Sequence, residues 1–284
     1  MNRLIFFKKN SIIDKNTKVT CKVWFEMEKI KTSISIVNYK GYEDVKACVE
    51  SILEYSKTNT IDIYIIDNFS QDNSGEKLKE YFKGIENVFV ILNKENVGFG
   101  KGHNLCIPYI KSKYHAVVNP DILLNCDVFN EITSYLEENN DIAIITPKLK
   151  FPNGEEQLVA KKRPTVKRLL ARQLPFKFLK KYEDDYLMKN EDLSKIIDVE
   201  FCSGCFFVIK TEIFIKMQGF DKDYFMYVED ADITQKALQY GRAVYFPNTY
   251  VFHKWNRQTK RSLKHFFMQL YSMFLYFKKW GIKF

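Results

Sequence analysis

Four apolar runs in the first part of this 284-residue chain end in polar groups that a buried strand does not need for itself. The first ends in Asn38-Tyr39, and the second in Asp67-Asn68 with Ser70 and Asp72 just beyond. The third leads through Asn93 to Asn96-Val97-Gly98, and the fourth, Ala116-Val117-Val118, stops at Asn119-Pro120-Asp121 before Ile122, Leu123 and Leu124 resume the apolar pattern. Any one of these groups could be a helix cap or a turn residue. Four at one rim, all able to hydrogen-bond or carry charge, form the kind of surface that binds a nucleotide. The stretch "NVGFGKGHN" adds Gly98, Gly100 and Gly102, where backbone can approach a ligand closely. No Gly-Lys-Ser/Thr follows these glycines, which excludes a P-loop. Further on, Glu229, Asp230 and Asp232 stand at the start of a helical pattern, and His253 lies near the end of the last β-rich run. Cys202 and Cys205 make a single C-x-x-C with no second half for a zinc site, so the six cysteines read as reduced thiols.

The elements that must position these groups follow from periodicity. Residues 33–39, 61–67, 88–93 and 114–120 are short β-rich runs, separated by helical spacing over 42–56 (Val45, Cys48, Val49, Ile52, Leu53), 74–85 and 100–112. Strand, helix and strand in this order predict right-handed βαβ units. The fold class is therefore α/β, a Rossmann-like doubly wound, mostly parallel sheet, with ligands expected beyond the carboxyl ends of its strands. The second half is less regular. A helix over 127–139 and a strand over 142–149 lead, through a turn at 151–154 and a basic segment, to a strand and helix over 200–220. A helix then carries Ile233, Ala237 and Leu238 up to Gly241 as C-cap, with Asp232 as its N-cap, and residues 242–255 read as a strand pair holding His253.

The hydrophobic content of 46 % is ample for one large core. No apolar stretch approaches the ~20 residues of a membrane-spanning helix, and the N-terminus lacks a secretory pattern. A cytoplasmic location is expected. The net charge of +9 is unevenly placed: residues 161–181 contain no acid, and residues 261–284 mix Lys and Arg with Phe, Tyr, Met and Trp. Both segments suit either a solvated basic face with a core-packed terminal helix or a peripheral contact with an anionic lipid surface, which would place the chain at the inner face of the membrane. No spacing supports nucleic-acid recognition. The expected organisation is an N-terminal extension (1–30), whose first 26 residues before Met27 are an appendage or a misassigned start, a main domain (31–258) and a C-terminal amphipathic helix (259–284).

The blocks "SIVNYKGYEDVKACVESI", "IIDNFSQDNS", "NKENVGFGKGHN", "VVNPDILL", "CSGCFFVIKTEIFIKMQGFDKDYFMYVEDADIT" and "VYFPNTYVFHKW" occur in an order that resembles the family 2 glycosyltransferases with the GT-A fold, in the branch similar to bacterial rhamnosyltransferases. The resemblance spans roughly residues 32–255. It implies an inverting transferase that moves a sugar, such as rhamnose, from a dTDP- or UDP-linked donor to a surface-polysaccharide or lipid-linked glycan. It also implies a divalent metal, Mn²⁺ or Mg²⁺, on Asp121, the second position of the family's Asp-x-Asp. The first position is Asn119 here, facing ribose or a bound water, and its missing carboxylate implies weak metal binding without nucleotide. By the same resemblance Asn38, Tyr39, Asp67, Asn68, Gly98, Gly102 and Asn104 serve the nucleotide, with Asp67 accepting from the N3–H of a pyrimidine. Ser203 and Gly204 line the donor-sugar pocket, Asp230 is the base, Glu229 orients the acceptor, and His253 is a second metal or diphosphate ligand. His103 stands where relatives have Asn and reads as a loop residue without function. Two other readings compete. A sugar nucleotidyltransferase needs a Gly-rich basic loop after the first strand, which "NYKGYEDV" lacks; an inactive glycan- or nucleotide-binding protein would be favoured by loss of Asp121 or Asp230, and both are present.

Overall fold

The computed structural model describes residues 31–57, 60–173, 176–255 and 263–282. The expected N-terminal extension lies outside these residues. β1 (Lys31–Asn38), α1 (Tyr42–Tyr55), β2 (Thr60–Asp67), α2 (Ser74–Tyr81), β3 (Val88–Leu92), α3 (Phe99–Asn104) and β4 (Tyr114–Val118) form the first half. Their strands are parallel and ordered β3-β2-β1-β4, so all four carboxyl ends meet at one rim. Amphipathic α1 turns Val45, Cys48, Val49 and Ile52 inward, and β4 is buried along its whole length, as a strand covered on both faces must be. The helix expected over 100–112 is shorter than its apolar pattern: α3 stops at Asn104, and Pro108, which lacks an N–H, follows in a separate 3₁₀ turn.

β5 (Ile122–Leu123), α4 (Val128–Glu138), β6 (Ile142–Lys150), β7 (Glu156–Gln157), α5 (Val166–Gln173), α6 (Lys180–Tyr186) and β8 (Ile197–Asp198) lead into the second half. It closes with β9 (Phe206–Lys210), α7 (Thr211–Lys216), α8 (Glu229–Ala237), β10 (Arg242–His253) and α9 (Leu263–Trp280). β9 lies between β4 and β6 and is antiparallel to both, so its first residues sit at the rim where β4 ends. β10 is parallel to β6 and brings His253 to the same rim. The strand pair expected over 242–255 is instead this one long strand. Its register against β6 shifts between Phe246 and Tyr250, a bulge that absorbs Pro247, whose missing N–H would break a regular ladder.

The alternation in "SISIVN" resembles a strand with one wet face, yet both faces of β1 are buried. Ile34 and Ile36 enter the apolar core, while Ser33 and Ser35 hydrogen-bond two fully buried histidines. His115 contacts Ser33 Oγ through Nδ1 (2.7 Å) and Ser35 Oγ through Nε2 (3.1 Å), and Ser35 Oγ also meets His103 Nδ1 at 2.7 Å. His103 is thus a packed helix residue of α3 and not a loop residue. Burial holds both imidazoles down to about 3.

Because these folded values lie below the ordinary histidine value near 6.5, the unfolded chain binds more protons as pH falls, so their contribution is complete above about pH 6.5 and is lost between there and pH 3. Glu229, whose carboxyl is raised, gains stability over the same interval, so the comparison is made against variants: the loss on going from pH 7 to pH 5 in chemical denaturation should be about 2 kcal/mol smaller in His103→Gln, and likewise in His115→Gln, than in the parent. An equal pH dependence in parent and variants would contradict this role.

Candidate nucleotide and acceptor site

The rim is built by hydrogen bonds among the strand ends. Asn38 Nδ2 donates to Asp67 Oδ1 (2.7 Å) and to Ser74 Oγ (2.9 Å), while its Oδ1 accepts the Gly41 N–H (3.0 Å). Asp67 Oδ2 accepts the Ser70 N–H at 3.0 Å. Both side chains are buried, and each carboxylate oxygen of Asp67 already has a donor. Lys40 and Phe69 adopt left-handed backbone (φ 60° and 64°), in turns that leave Tyr39 and Phe69 about half exposed at this edge. Phe69 was not singled out from the sequence, although an aromatic directly after Asp67-Asn68 with no core to enter was a usable signal.

Asn68 does different work. Its Nδ2 donates to Asn96 Oδ1 and Gly98 O, both at 3.0 Å, and its Oδ1 accepts the Val97 N–H at 3.0 Å. The buried amide therefore holds the loop that carries Gly98. At Gly98, φ is 87°, and a Cβ would lie 2.1 Å from the Phe225 carbonyl oxygen. Phe99 N–H donates to that same oxygen (2.9 Å), which ties the first half to the segment before α8. Gly102 packs against Val37. Asn104 is bound to the segment after α7: its amide Nδ2 donates to Phe220 O (2.8 Å) and its Oδ1 accepts the Phe220 N–H (2.9 Å).

At the end of β4, Asp121 meets His253. The β5–β10 ladder pairs Ile122 with His253, and Lys254 N–H donates to the Asp121 carbonyl at 3.0 Å. His253 Nε2 then lies 3.3 Å from Asp121 Oδ1. Gln157 sets the tautomer: its Nε2 donates to the His253 carbonyl (2.8 Å), so its Oε1 faces His253 Nδ1 (2.8 Å), which must donate. Nε2, directed at the carboxylate, is left to carry a proton or to bind a cation. A hydrogen-bonded imidazole beside a carboxylate is a donor set that suits a divalent ion such as Mn²⁺. Among the described residues no third His, Cys, Asp or Glu joins them. Gln157, on two-residue β7, gave no sequence signal.

The turn 203–205 links this pair to Glu229 and Asp230 at the start of α8. Asn119 N–H donates to Cys205 O (2.8 Å), and Gly204 N–H donates to Asp230 Oδ2 (3.1 Å). Ser203 Oγ contacts Cys205 Sγ at 3.0 Å, and a Cβ on Gly204 would meet Asp230 Cβ at 3.1 Å. Asp121 and Asp230 both push the Cys205 thiol upward, after burial, so both charges reach this one turn. Half-buried Asp230 also accepts the Ala231 N–H at 3.0 Å. Burial raises its carboxyl, opposed first by Lys161 and then by the N–H donors. Glu229 is more buried, and desolvation together with the neighbouring Asp230 pushes its carboxyl well above the usual carboxylate range.

The expected N-cap role of Asp232 is not what the structure shows. Val228 occupies the cap position, and Asp232 is fully buried in the first turn of α8, accepting from Trp280 Nε1 (2.7 Å) and pairing with Lys279 (2.9 Å) of α9. The two residues before Glu229, Tyr227 and Val228, have φ of 73° and 68°; for a β-branched valine this is a strained conformation. It is pinned by α9, through Ser272 Oγ to Met226 O and Tyr227 OH to His265 Nδ1, both 2.8 Å. The five described cysteines are free thiols.

A curled, mostly parallel sheet with a nucleotide-type rim and an opposed carboxylate pair defines the GT-A class of fold. The sequence profile of glycosyl transferase family 2 matches residues 33–218, and the chain belongs to that family. It is 27 % identical over 167 residues to the rhamnosyltransferase WbbL of Escherichia coli (strain K12), covering 55 % of this chain and 60 % of WbbL. It is 25 % identical over 158 residues to an uncharacterized glycosyltransferase of Methanocaldococcus jannaschii, covering 55 % of this chain and 52 % of that protein. The chain therefore matches only part of these relatives' length. Among solved structures it resembles GalNAc-T7 with UDP, GalNAc and Mn²⁺ (TM-score 0.63, 17 % identity, 80 % of this chain and 44 % of that one). It also resembles the mannosyltransferase PcManGT of Pyrobaculum calidifontis with GDP-Man and Mn²⁺ (TM-score 0.57, 11 % identity, 82 % and 59 %).

Asn68→Ala removes a buried amide with three 3.0 Å bonds, and the orphaned loop groups should cost about 2–3 kcal/mol in chemical denaturation. An effect below about 0.5 kcal/mol, the size of an ordinary surface substitution, would show that the amide does not hold the loop.

Proposed function

We propose that this chain is an inverting, metal-dependent glycosyltransferase that moves a sugar from a dTDP- or UDP-linked donor to a surface-polysaccharide or lipid-linked glycan acceptor at the inner face of the membrane. Rhamnose is the proposed sugar, in line with the activity named for WbbL. The observation that carries the reading is the placement of Asp121 with His253 on one side of the 203–205 turn and Asp230 on the other. The catalytic unit is taken as residues 31–258, with the C-terminal helix packed on it.

In this reading Asn38, Tyr39, Asp67 and Asn119 border the nucleotide, with Asn68, Gly98 and Gly102 shaping its loop, and Ser203 and Gly204 face the donor sugar. Asp121 and His253 Nε2 would hold the divalent cation, which supplies charge neutralisation for the leaving diphosphate. The acceptor hydroxyl oxygen bonds to the anomeric carbon as the bond from that carbon to the diphosphate oxygen breaks, and Asp230 takes the hydroxyl proton. One displacement inverts the centre without a covalent intermediate. Glu229, whose carboxyl burial and Asp230 bias toward the protonated form, donates a hydrogen bond that orients the acceptor.

Calorimetric titration with UDP, dTDP and GDP, each with Mn²⁺ and with EDTA, should show metal-dependent binding of dTDP or UDP that Asp121→Ala abolishes. Binding of none would overturn the proposal. Asp230→Asn should lower kcat about 10²–10⁴-fold while leaving donor binding intact, the usual weight of a general base. Glu229→Gln, which keeps a neutral donor, should stay within a few-fold of the parent at pH 7; a loss as large as that of Asp230→Asn would reverse the two roles.

A further inference from the structure

α9 has two faces with opposite fates. Ser272 and Tyr276 are buried, and Tyr276 joins Tyr186, Phe201, Tyr224 and Ala231 in a small core of its own. Lys279 and Trp280 close on Asp232. The other face carries Leu263, Phe266, Phe267, Leu270, Tyr271 and Phe274, recurring every three or four residues and 45–78 % exposed. Such a contiguous stripe of large apolar side chains marks a contact surface, whereas scattered exposed ones are ordinary. The helix contains no Asp or Glu, and exposed Lys264 and Lys278 flank the stripe. No described helix is long and apolar enough to cross a membrane. Before α6, whose last residue Tyr186 packs beside Tyr276, Phe176 and Phe178 are also exposed, followed by exposed Lys180 and Lys181.

We infer that the outer face of α9 lies in the interface of an anionic lipid bilayer, with its aromatic stripe at the acyl boundary and its lysines among the headgroups. The occupant is argued from charge. A protein partner or a second copy needs apolar complementarity alone, whereas an acid-free stripe edged by lysines, on a chain of net charge +9, matches an anionic lipid surface. The inner face of α9 supports the strained turn before Glu229 and Asp230, so the helix that meets the lipid also holds the acceptor side. This rests on the proposed lipid-linked acceptor and specifies how the enzyme reaches it.

The test is cosedimentation of the full chain with vesicles of phosphatidylcholine alone and with about one third phosphatidylglycerol, at low and high salt. Nucleotide binding with Mn²⁺ is measured on the same preparations, so that failure of the lipid contact is separable from failure of the donor site. The expected result is binding to the anionic vesicles at least tenfold tighter than to neutral ones and weakened by salt. The triple substitution Phe267→Ser, Tyr271→Ser, Phe274→Ser should lose binding at least tenfold while keeping nucleotide binding, and Lys264→Glu with Lys278→Glu, which leaves the stripe intact, should weaken it in the same direction. Equal affinity for neutral vesicles, or unchanged binding by both variants, would overturn the inference. So would a stable dimer of the parent in solution that the triple variant converts to monomer with no vesicle binding by either, since a second copy would then cover the stripe.

Discussion

The reversed direction of β9 is the constraint on which the site depends. Between β4 and β6, which run the same way, an antiparallel strand delivers its beginning, not its end, to the rim where β4 ends. That beginning is the turn 203–205, whose backbone is bound to Asn119 on one side and Asp230 on the other. Two carboxylates more than a hundred positions apart in the chain are thereby held about one turn. Any change that slipped the register of β9 by one residue would exchange the side chains on its two buried faces and separate the two carboxylates.

The start of α8 is held less by core packing than by opposing supports. The Phe99 N–H anchors Phe225, α9 anchors Met226 and Tyr227, and the backbone passes through two left-handed residues, Tyr227 and Val228, as it enters α8. Strain of this kind, costing on the order of 1–3 kcal/mol per residue, persists only where surrounding structure over-determines it. Buried Asp232 supplies part of that structure. Its desolvation is offset by the ammonium of Lys279 and the indole N–H of Trp280, and the partnership binds α8 and α9 into one unit.

Much of the fold was legible because periodicity reports burial directly. Strands β1 to β4 and helix α1 fall within a few residues of the apolar runs that announce them, and the rim follows from parallel order. What escaped depended on distant partners. Asp232 resembles a helix cap because nothing local reveals that Lys279 and Trp280 will enclose it. Gln157 is an unremarkable polar residue until the sheet brings it beneath His253. His103 reads as a loop residue, and Ser33, Ser35 and His115 fall in β-rich runs that reveal nothing of their partners, whereas the structure buries all four as one polar network. The single strand β10 was read as two because a bulge and a hairpin both interrupt an apolar run with Pro and Asn.

The central claim is that Asp121 and His253 present one cation to the donor diphosphate, and it is tested most directly by electron-nuclear double resonance on Mn²⁺ added to the protein with UDP or dTDP. The account predicts ³¹P coupling from the nucleotide together with ¹⁴N coupling that disappears in His253→Ala. Phosphorus coupling without any histidine nitrogen, or Mn²⁺ that stays in solution beside bound nucleotide, would show that Nε2 of His253 carries a proton for Asp121 and that the pair is a structural contact, not a metal site.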